Sequence, residues 1–358
     1  MTLTRQPWIG GPGIDLGFIL APGIVISAVV LAFPGVFTTR EVSPLLWAAL
    51  IVGVDVTHVY STLFRTYFDP AEFRRAPTLY VLAPVLGWMA FAGLYSLGAM
   101  VFWRCLAYLA VFHFVRQQYG LMMLYGRWDG RRRPVDAAAI YAATLYPLVW
   151  WHLHPRQFNW FVDGDFFSFD APLIADGLLA AYVAIMGAYV VKEIELIRRT
   201  RRVNWPRNLL LGGTALSWWV GIIAMDSDLA FTAVNVLAHG IPYMALVWVY
   251  GRSQQGALLL GLVPAGRVFS LALLPLFVAL PALLAYLEEG LWDGFVWAEH
   301  PGLFPAFAAL PVVRADDALV LLVPLLALPQ ITHYVLDGFI WRRDRAPAAW
   351  KAALRPPA

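Results

Sequence analysis

Apolar positions along this chain gather into long blocks of roughly 18 to 25 residues, separated by short polar segments. Blocks of that length cross a hydrocarbon core of ~30 Å as helices. They predict about ten spans, at 13–35, 44–65, 79–102, 104–126, 136–153, 172–196, 209–226, 230–251, 267–287 and 317–341. The expected fold is therefore all-α: a polytopic integral membrane helical bundle forming one transmembrane domain over 1–358. The narrowest gap falls near Trp103 and Arg104, and the apolar stretch 303–313 reads as re-entrant or interfacial. Met1 to Gly13 is polar and lacks a small-residue cleavage site behind a short apolar core, so no cleaved signal peptide is expected.

Composition strengthens the membrane reading. The 358 residues are 60% hydrophobic and 14% charged, with 16 Trp, and the mean hydropathy is +0.65. A soluble chain of this length would carry more charge. The basic residues are not scattered. Arg65, Arg74 and Arg75, then Arg127 with Arg131, Arg132 and Arg133, then Arg198 to Arg207, then Arg252 and Arg267, and finally Arg342 to Lys351 all follow even-numbered spans. The opposite loops carry Asp163, Asp165 and Asp170, then Asp226 and Asp228, then Glu288, Glu289, Asp293 and Glu299. By the positive-inside rule both termini are cytoplasmic, and the expected location is a bacterial inner membrane. The pI near 9.0 then reflects topology and contact with lipid headgroups, and no nucleic-acid partner is expected. The single cysteine, Cys105, excludes an intramolecular disulfide and any thiolate-rich metal site.

Four of the seven histidines, His58, His113, His239 and His333, lie inside even-numbered spans. An imidazole in hydrocarbon is costly, and four on helices running the same way suggest one shared site. They stand 7, 14, 13 and 9 residues before the arginines that close their spans, Arg65, Arg127, Arg252 and Arg342. At helical rise that is about 10 to 21 Å, compatible with one layer once tilt is allowed for. Asp55, His58 and Thr62 share a helix face, as do His333 and Asp337. A carboxylate one turn from an imidazole either ligates a metal beside it or orients the ring. The metal-ligand set expected is His58, His113, His239 and His333 with Asp55 and Asp337. Arg116, Gln117, Tyr119, Asn235 and Tyr243 are expected to line the reaction pocket, with Arg116 paired to Asp55, Asp337 or a substrate anion.

A faint internal repeat accompanies the histidines: His113 precedes Tyr125-Gly126-Arg127 much as His239 precedes Tyr250-Gly251-Arg252. Spans five and six depart from it, with Lys192, Glu193 and Glu195 in place of a histidine. His152 and His154 sit beside Trp150, Trp151 and Trp160, where an aromatic belt accounts for them, and His300 belongs to an acidic loop.

Imidazole ligation without thiolate suits iron(II), with zinc, copper or manganese as alternatives and haem as a sub-case. Iron within a bilayer meets both dioxygen and apolar molecules, so the expected class is a membrane-embedded, metal-dependent oxidoreductase or oxygenase acting on a lipid or isoprenoid-like substrate. No nucleotide-binding glycine motif occurs, so a separate electron donor is expected. Two other classes use the same residues. A proton- or ion-coupled transporter would relay protons through Asp55, His58, Arg116, His333 and Asp337, and Pro242, Pro324 and Pro329 permit the broken helices it would need. A lipid-modifying transferase would need only one of the histidines.

Phe112-His113-Phe114-Val115-Arg116-Gln117-Gln118-Tyr119-Gly120, His239-Gly240-Ile241-Pro242-Tyr243 and Thr332-His333-Tyr334-Val335-Leu336-Asp337-Gly338-Phe339-Ile340-Trp341-Arg342 resemble motifs of an uncharacterised family of bacterial polytopic membrane proteins. With the Gly10 to Leu20 opening they cover most of the chain, but they imply no activity. A looser similarity is to the Brp/Blh membrane oxygenases, which place single histidines on separate helices around iron. His239-Gly-Ile-Pro-Tyr243 is similar to a His-x-x-Pro-His element of that group, with Tyr243 in place of the second histidine. The clustered His-x-x-His-His boxes of membrane desaturases are absent.

Overall fold

A computed structural model describes residues 6–38, 42–129, 133–254, 257–258, 262–342 and 348–354. Arg131 and Arg132 of the basic loops, and 343–347 near the carboxyl end, lie outside the described residues. Among the described residues the fold is all-α apart from a two-residue antiparallel ladder that pairs Ala257 and Leu258 with Pro264 and Val263. The main helices are α1 (Pro12–Ala32), α2 (Pro44–Arg65), α3 (Pro77–Ser96), α4 (Ala99–Tyr125), α5 (Arg133–Leu153), α6 (Leu173–Thr200), α7 (Trp205–Trp218), α8 (Asp228–Arg252), α9 (Leu271–Trp297), α10 (Asp316–Leu326) and α11 (Leu328–Ile340).

Seven of these are long and apolar enough to cross a membrane, and α10 with α11 makes an eighth if the pair, bent by 46°, is one span. The spans expected at 136–153 and 209–226 are helical but do not join that group. α5 carries Asp136, Thr144 and His152 among its apolar residues, and α7, which continues into the π turn Trp219–Ala224, opens on the polar run Trp205-Pro206-Arg207-Asn208. Among the described residues, length and composition thus support seven or eight of the ten expected spans.

One expectation is corrected. The break between the third and fourth spans is at Leu97 and Gly98, while Trp103 and Arg104 lie inside α4. Gly98 takes φ 137, which a residue with a Cβ rarely adopts, whereas Trp103 and Arg104 are ordinary helix residues. The stretch 303–313 is non-helical, with turns over 305–309, and its Phe304 ring lies 5.2 Å from that of Tyr286.

Contacts divide the chain into two compact units. The first comprises Met1–Arg40, Val111–Ala245 and Ala353–Ala358. Its apolar centre gathers Val30, Val220, Met225, Ala230 and Val234. α1 lies close enough to its neighbours that a Cβ on Gly23 would meet Ala238 at 3.2 Å, and one on Gly213 would meet Ile24 at 3.0 Å. At the other end of the unit Arg127 donates to the carbonyls of Pro7 (2.6 Å), Trp8 (2.6 Å), Leu124 (2.7 Å) and Leu354 (2.8 Å). Burial pushes its guanidinium down to about 10. A buried ionic network joins α5, α6 and α7: Lys192 to Asp136 and to Glu193 (2.7 Å), and Arg207 to Glu193 and to Asp129 (2.6 Å). Lys192 and Glu193 are two of the residues by which spans five and six depart from the histidine pattern.

The second unit comprises Glu41–Ala110 and Leu246–Ala352. Val52, Val56, Ala285 and Phe304 form one apolar cluster, and Tyr80, Ala83, Leu336 and Ile340 another. Arg65, at the end of α2, is 1% exposed and makes three kinds of contact. It pairs with Glu72 at 3.0 Å, donates to the Ile340 carbonyl at the end of α11 at 2.8 Å, and lies 4.0 Å from the Tyr250 ring centroid. One guanidinium thus joins the ends of α2, α8 and α11. Gly251 has no freedom to carry a side chain, since a Cβ there would lie 2.0 Å from the Phe269 ring.

Candidate metal centre

In the first unit, His113 on α4 and His239 on α8 meet edge to face, with ring centroids 4.8 Å apart and their Nε2 atoms 3.0 Å apart. Both are buried. Phe114, next to His113 in sequence, stacks on His239 with centroids 3.6 Å apart and planes at 12°. Gln117, one turn beyond His113, donates to the His239 carbonyl at 3.1 Å. α8 runs unbroken past Pro242, so the break that proline permits does not occur in it.

In the second unit, His58 on α2 and His333 on α11 also meet edge to face, with centroids 5.1 Å apart, and both are buried. The helix before His58 widens into the π turn Ile51–Val56, where the Thr57 hydroxyl donates back to the Val52 carbonyl at 2.6 Å. Such bulges change which residues share a face and recur at functional sites. Asp55 still faces His58, with Oδ1 3.6 Å from Nδ1. Thr62 makes a 2.7 Å hydrogen bond to Nδ1 of His333. A bond at one ring nitrogen fixes the orientation of the ring and leaves the other to face elsewhere, which is how ligating imidazoles are held.

His58, His113, His239 and His333, all buried, are a group among the described residues that could hold a metal ion. The chemistry of this donor set fits a metal. Two nitrogens bound to one ion at ~2.1 Å stand about 3.0 Å apart at a right angle and about 4.2 Å apart in trans. The 3.0 Å between the Nε2 atoms of His113 and His239 matches the first of these distances. Nδ1 of His333 faces Thr62 and Nδ1 of His58 faces Asp55.

Asp55 and Asp337 are not members of the four-residue group. Asp55 stands beside one of its rings, and Asp337 is half-buried one turn beyond His333. Arg116 is exposed; it donates to the Tyr141 hydroxyl at 2.6 Å and lies 4.6 Å from the Tyr119 ring centroid, so a phenol takes the place of the expected carboxylate. Tyr119 stacks on Tyr141 at 5.1 Å. Asn235 donates to the Phe231 carbonyl of its own helix at 2.9 Å. Tyr243 is buried, with its ring 6.4 Å from that of His239 and 6.3 Å from that of His113. Of the five residues expected to line the pocket, Gln117 and Tyr243 adjoin these histidines, while Arg116 and Tyr119 turn to Tyr141.

His152 donates from Nδ1 to the Leu148 carbonyl at 2.7 Å, His154 stacks on Trp150 at 4.2 Å, and His300 lies 4.4 Å from Trp47. None of the three belongs to the four-histidine group. Phe114 and the bond from Thr62 to His333 were not legible as site features. An apolar ring beside a histidine carries no signal of its own, and the partner of Thr62 is 271 residues away. No protein-family model matches the chain, nor does any curated protein or solved structure.

Proposed function

We propose that this chain is an integral membrane, metal-dependent oxidoreductase, with non-haem iron held by His58, His113, His239 and His333, acting on a lipid or isoprenoid-like substrate. The observation that carries the reading is the group of four buried imidazoles, which meet edge to face as His113 with His239 and His58 with His333. Four neutral nitrogen donors without a thiolate suit iron(II), with zinc, copper and manganese next. A bare ion is favoured over haem, because a macrocycle supplies its own four nitrogens and leaves two axial places, whereas four imidazoles are present here. Iron bound there would supply the redox chemistry needed to use dioxygen. The chain's own residues hold and shield it: Thr62 and Asp55 orient the rings of His333 and His58, Phe114 covers His239, and the Tyr243 ring lies 6.4 Å from that of His239. Water is kept out by burial of all four rings. Electrons would come from a separate donor protein.

The long apolar helices support placement in a bilayer. The alternation of arginine-rich and acidic loops supports a bacterial inner membrane with both termini cytoplasmic. Metal analysis of detergent-purified protein, after anaerobic incubation with iron(II) and removal of loosely bound ion, tests the reading. About one ion per chain is expected, lost on changing any of the four histidines to alanine. Protein that retains no metal, or that retains it in all four variants, refutes it.

One observation favours a transporter instead. α10 and α11 bend by 46° at their junction, as broken helices at ion pathways do, and a 3.0 Å contact between two imidazoles can share a proton. That reading requires proton-coupled flux in liposomes from metal-free protein.

A further inference from the structure

Within the second unit lies a cavity of about 390 Å³, in the range of small-molecule sites. Its origin is the bend between α10 and α11. Both helices pack on α3, and two segments that diverge by 46° cannot both lie flush along one helix. The wedge left between them is walled by Pro84 of α3 and by Leu325, Leu328 and Pro329 around the bend. At its outer end Leu325 is 52% exposed. At its inner end Thr62 and His333 are 4% and 2% exposed, joined by the 2.7 Å hydrogen bond already described. The cavity therefore leads from the outer flank of α10 to an imidazole of the four-histidine group.

The lining decides what can enter. No Asp, Glu, Lys or Arg is part of it, and the Tyr67 hydroxyl is already donated to the Tyr80 carbonyl at 2.8 Å. A phosphate or carboxylate headgroup would have no counter-charge inside and would lose its hydration. A hydrocarbon chain has no such cost.

We infer that this cavity takes the hydrocarbon chain of a lipid-derived molecule tail first, through the side opening at Leu325, so that chain carbons and not the headgroup meet His333. The inference rests on the membrane metal-site reading and adds the substrate's route and its direction. The polar head stays outside at the mouth, in the headgroup region or on the flank of α10. Chemistry at the site then falls along the chain, remote from the head.

The test uses full-length protein in lipid nanodiscs with photoactivatable fatty acids carrying a diazirine either at the terminal carbon or beside the carboxylate, and a prenyl chain with a terminal diazirine. Cross-links are mapped by mass spectrometry. The tail-labelled probes should mark Val59, Leu63 and Leu336, and the head-proximal probe should mark the neighbourhood of Leu325. The ratio of the acyl to the prenyl signal tells which chain is preferred. Leu325→Trp, at an exposed position, should lower inner-end labelling about tenfold. Leu321→Trp, equally exposed at 52% but off the cavity, should leave it unchanged. Labelling spread evenly over the outer faces of α3 and α10, labelling insensitive to Leu325→Trp, or head-proximal labelling at the inner end each overturns the inference. Photolabelling needs no metal, so the two readings separate. Tail-first labelling in protein that binds no ion upholds the cavity and refutes the metal centre, while bound ion without it does the reverse.

Discussion

Thr62→Val isolates the contribution of one hydroxyl to the proposed centre. Valine keeps the shape of threonine and removes only the group that bonds Nδ1 of His333 at 2.7 Å. Thr62 is 4% exposed, so bulk water has little access to replace the lost partner. Removing the hydrogen bond that orients a ligating imidazole costs roughly 10- to 100-fold in metal affinity, or about 1.4 to 2.7 kcal/mol. The ion should remain in the purified variant but yield to a chelator at a concentration lower by that factor. Competition against a graded series of chelators, followed by elemental analysis, measures the shift. Thr62→Ser, which restores the hydroxyl, should recover most of it, whereas His333→Ala should abolish tight binding. If Thr62→Val binds metal as tightly as the parent while His333→Ala does not, the hydroxyl does not orient this ring, and the account of how the second unit presents His333 fails.

Arg65→Met should lower the unfolding midpoint in detergent, because Glu72, 4% exposed, would keep only Arg75 and Tyr80 as partners; breaking such a pair costs about 3 kcal/mol. An unchanged midpoint would show that the guanidinium does not join the ends of α2, α8 and α11. Gly251→Ala should destabilise by about 1–3 kcal/mol, since the new methyl would lie 2.0 Å from Phe269, and Phe269→Leu in the same chain should relieve much of this. Metal occupancy should fall as pH drops through the ordinary histidine range near ~6.5, because protons compete for the ligand nitrogens, and should be stable above it; occupancy that holds well below that range would exclude an imidazole-only site. A cysteine at Asp163, in a chain whose only native cysteine, Cys105, is replaced by alanine, should react with an impermeant reagent from outside if α5 crosses the membrane. Protection there, with labelling only after permeabilisation, would place α5 on the cytoplasmic side.

The sequence by itself determined what is local. Apolar blocks became helices, because hydrophobicity and length act over consecutive residues, and the shared face of Asp55, His58 and Thr62 followed from helical spacing. The same local logic misplaced the turn at Trp103 and Arg104, since the φ of 137 at Gly98 is a backbone state that hydropathy does not report. Only the tertiary structure decided which faces meet. His113 finds His239 across 126 residues, and Thr62 finds His333 across 271. It also decided that Arg116 turns to Tyr141, and that the chain bends between α10 and α11 and not at Pro242. The reason is physical: one helix can bury several of its faces, and the choice belongs to the packing of all its neighbours at once. Pro329, read in the sequence only as permission for a break, stands in the structure beside a cavity that ends at His333.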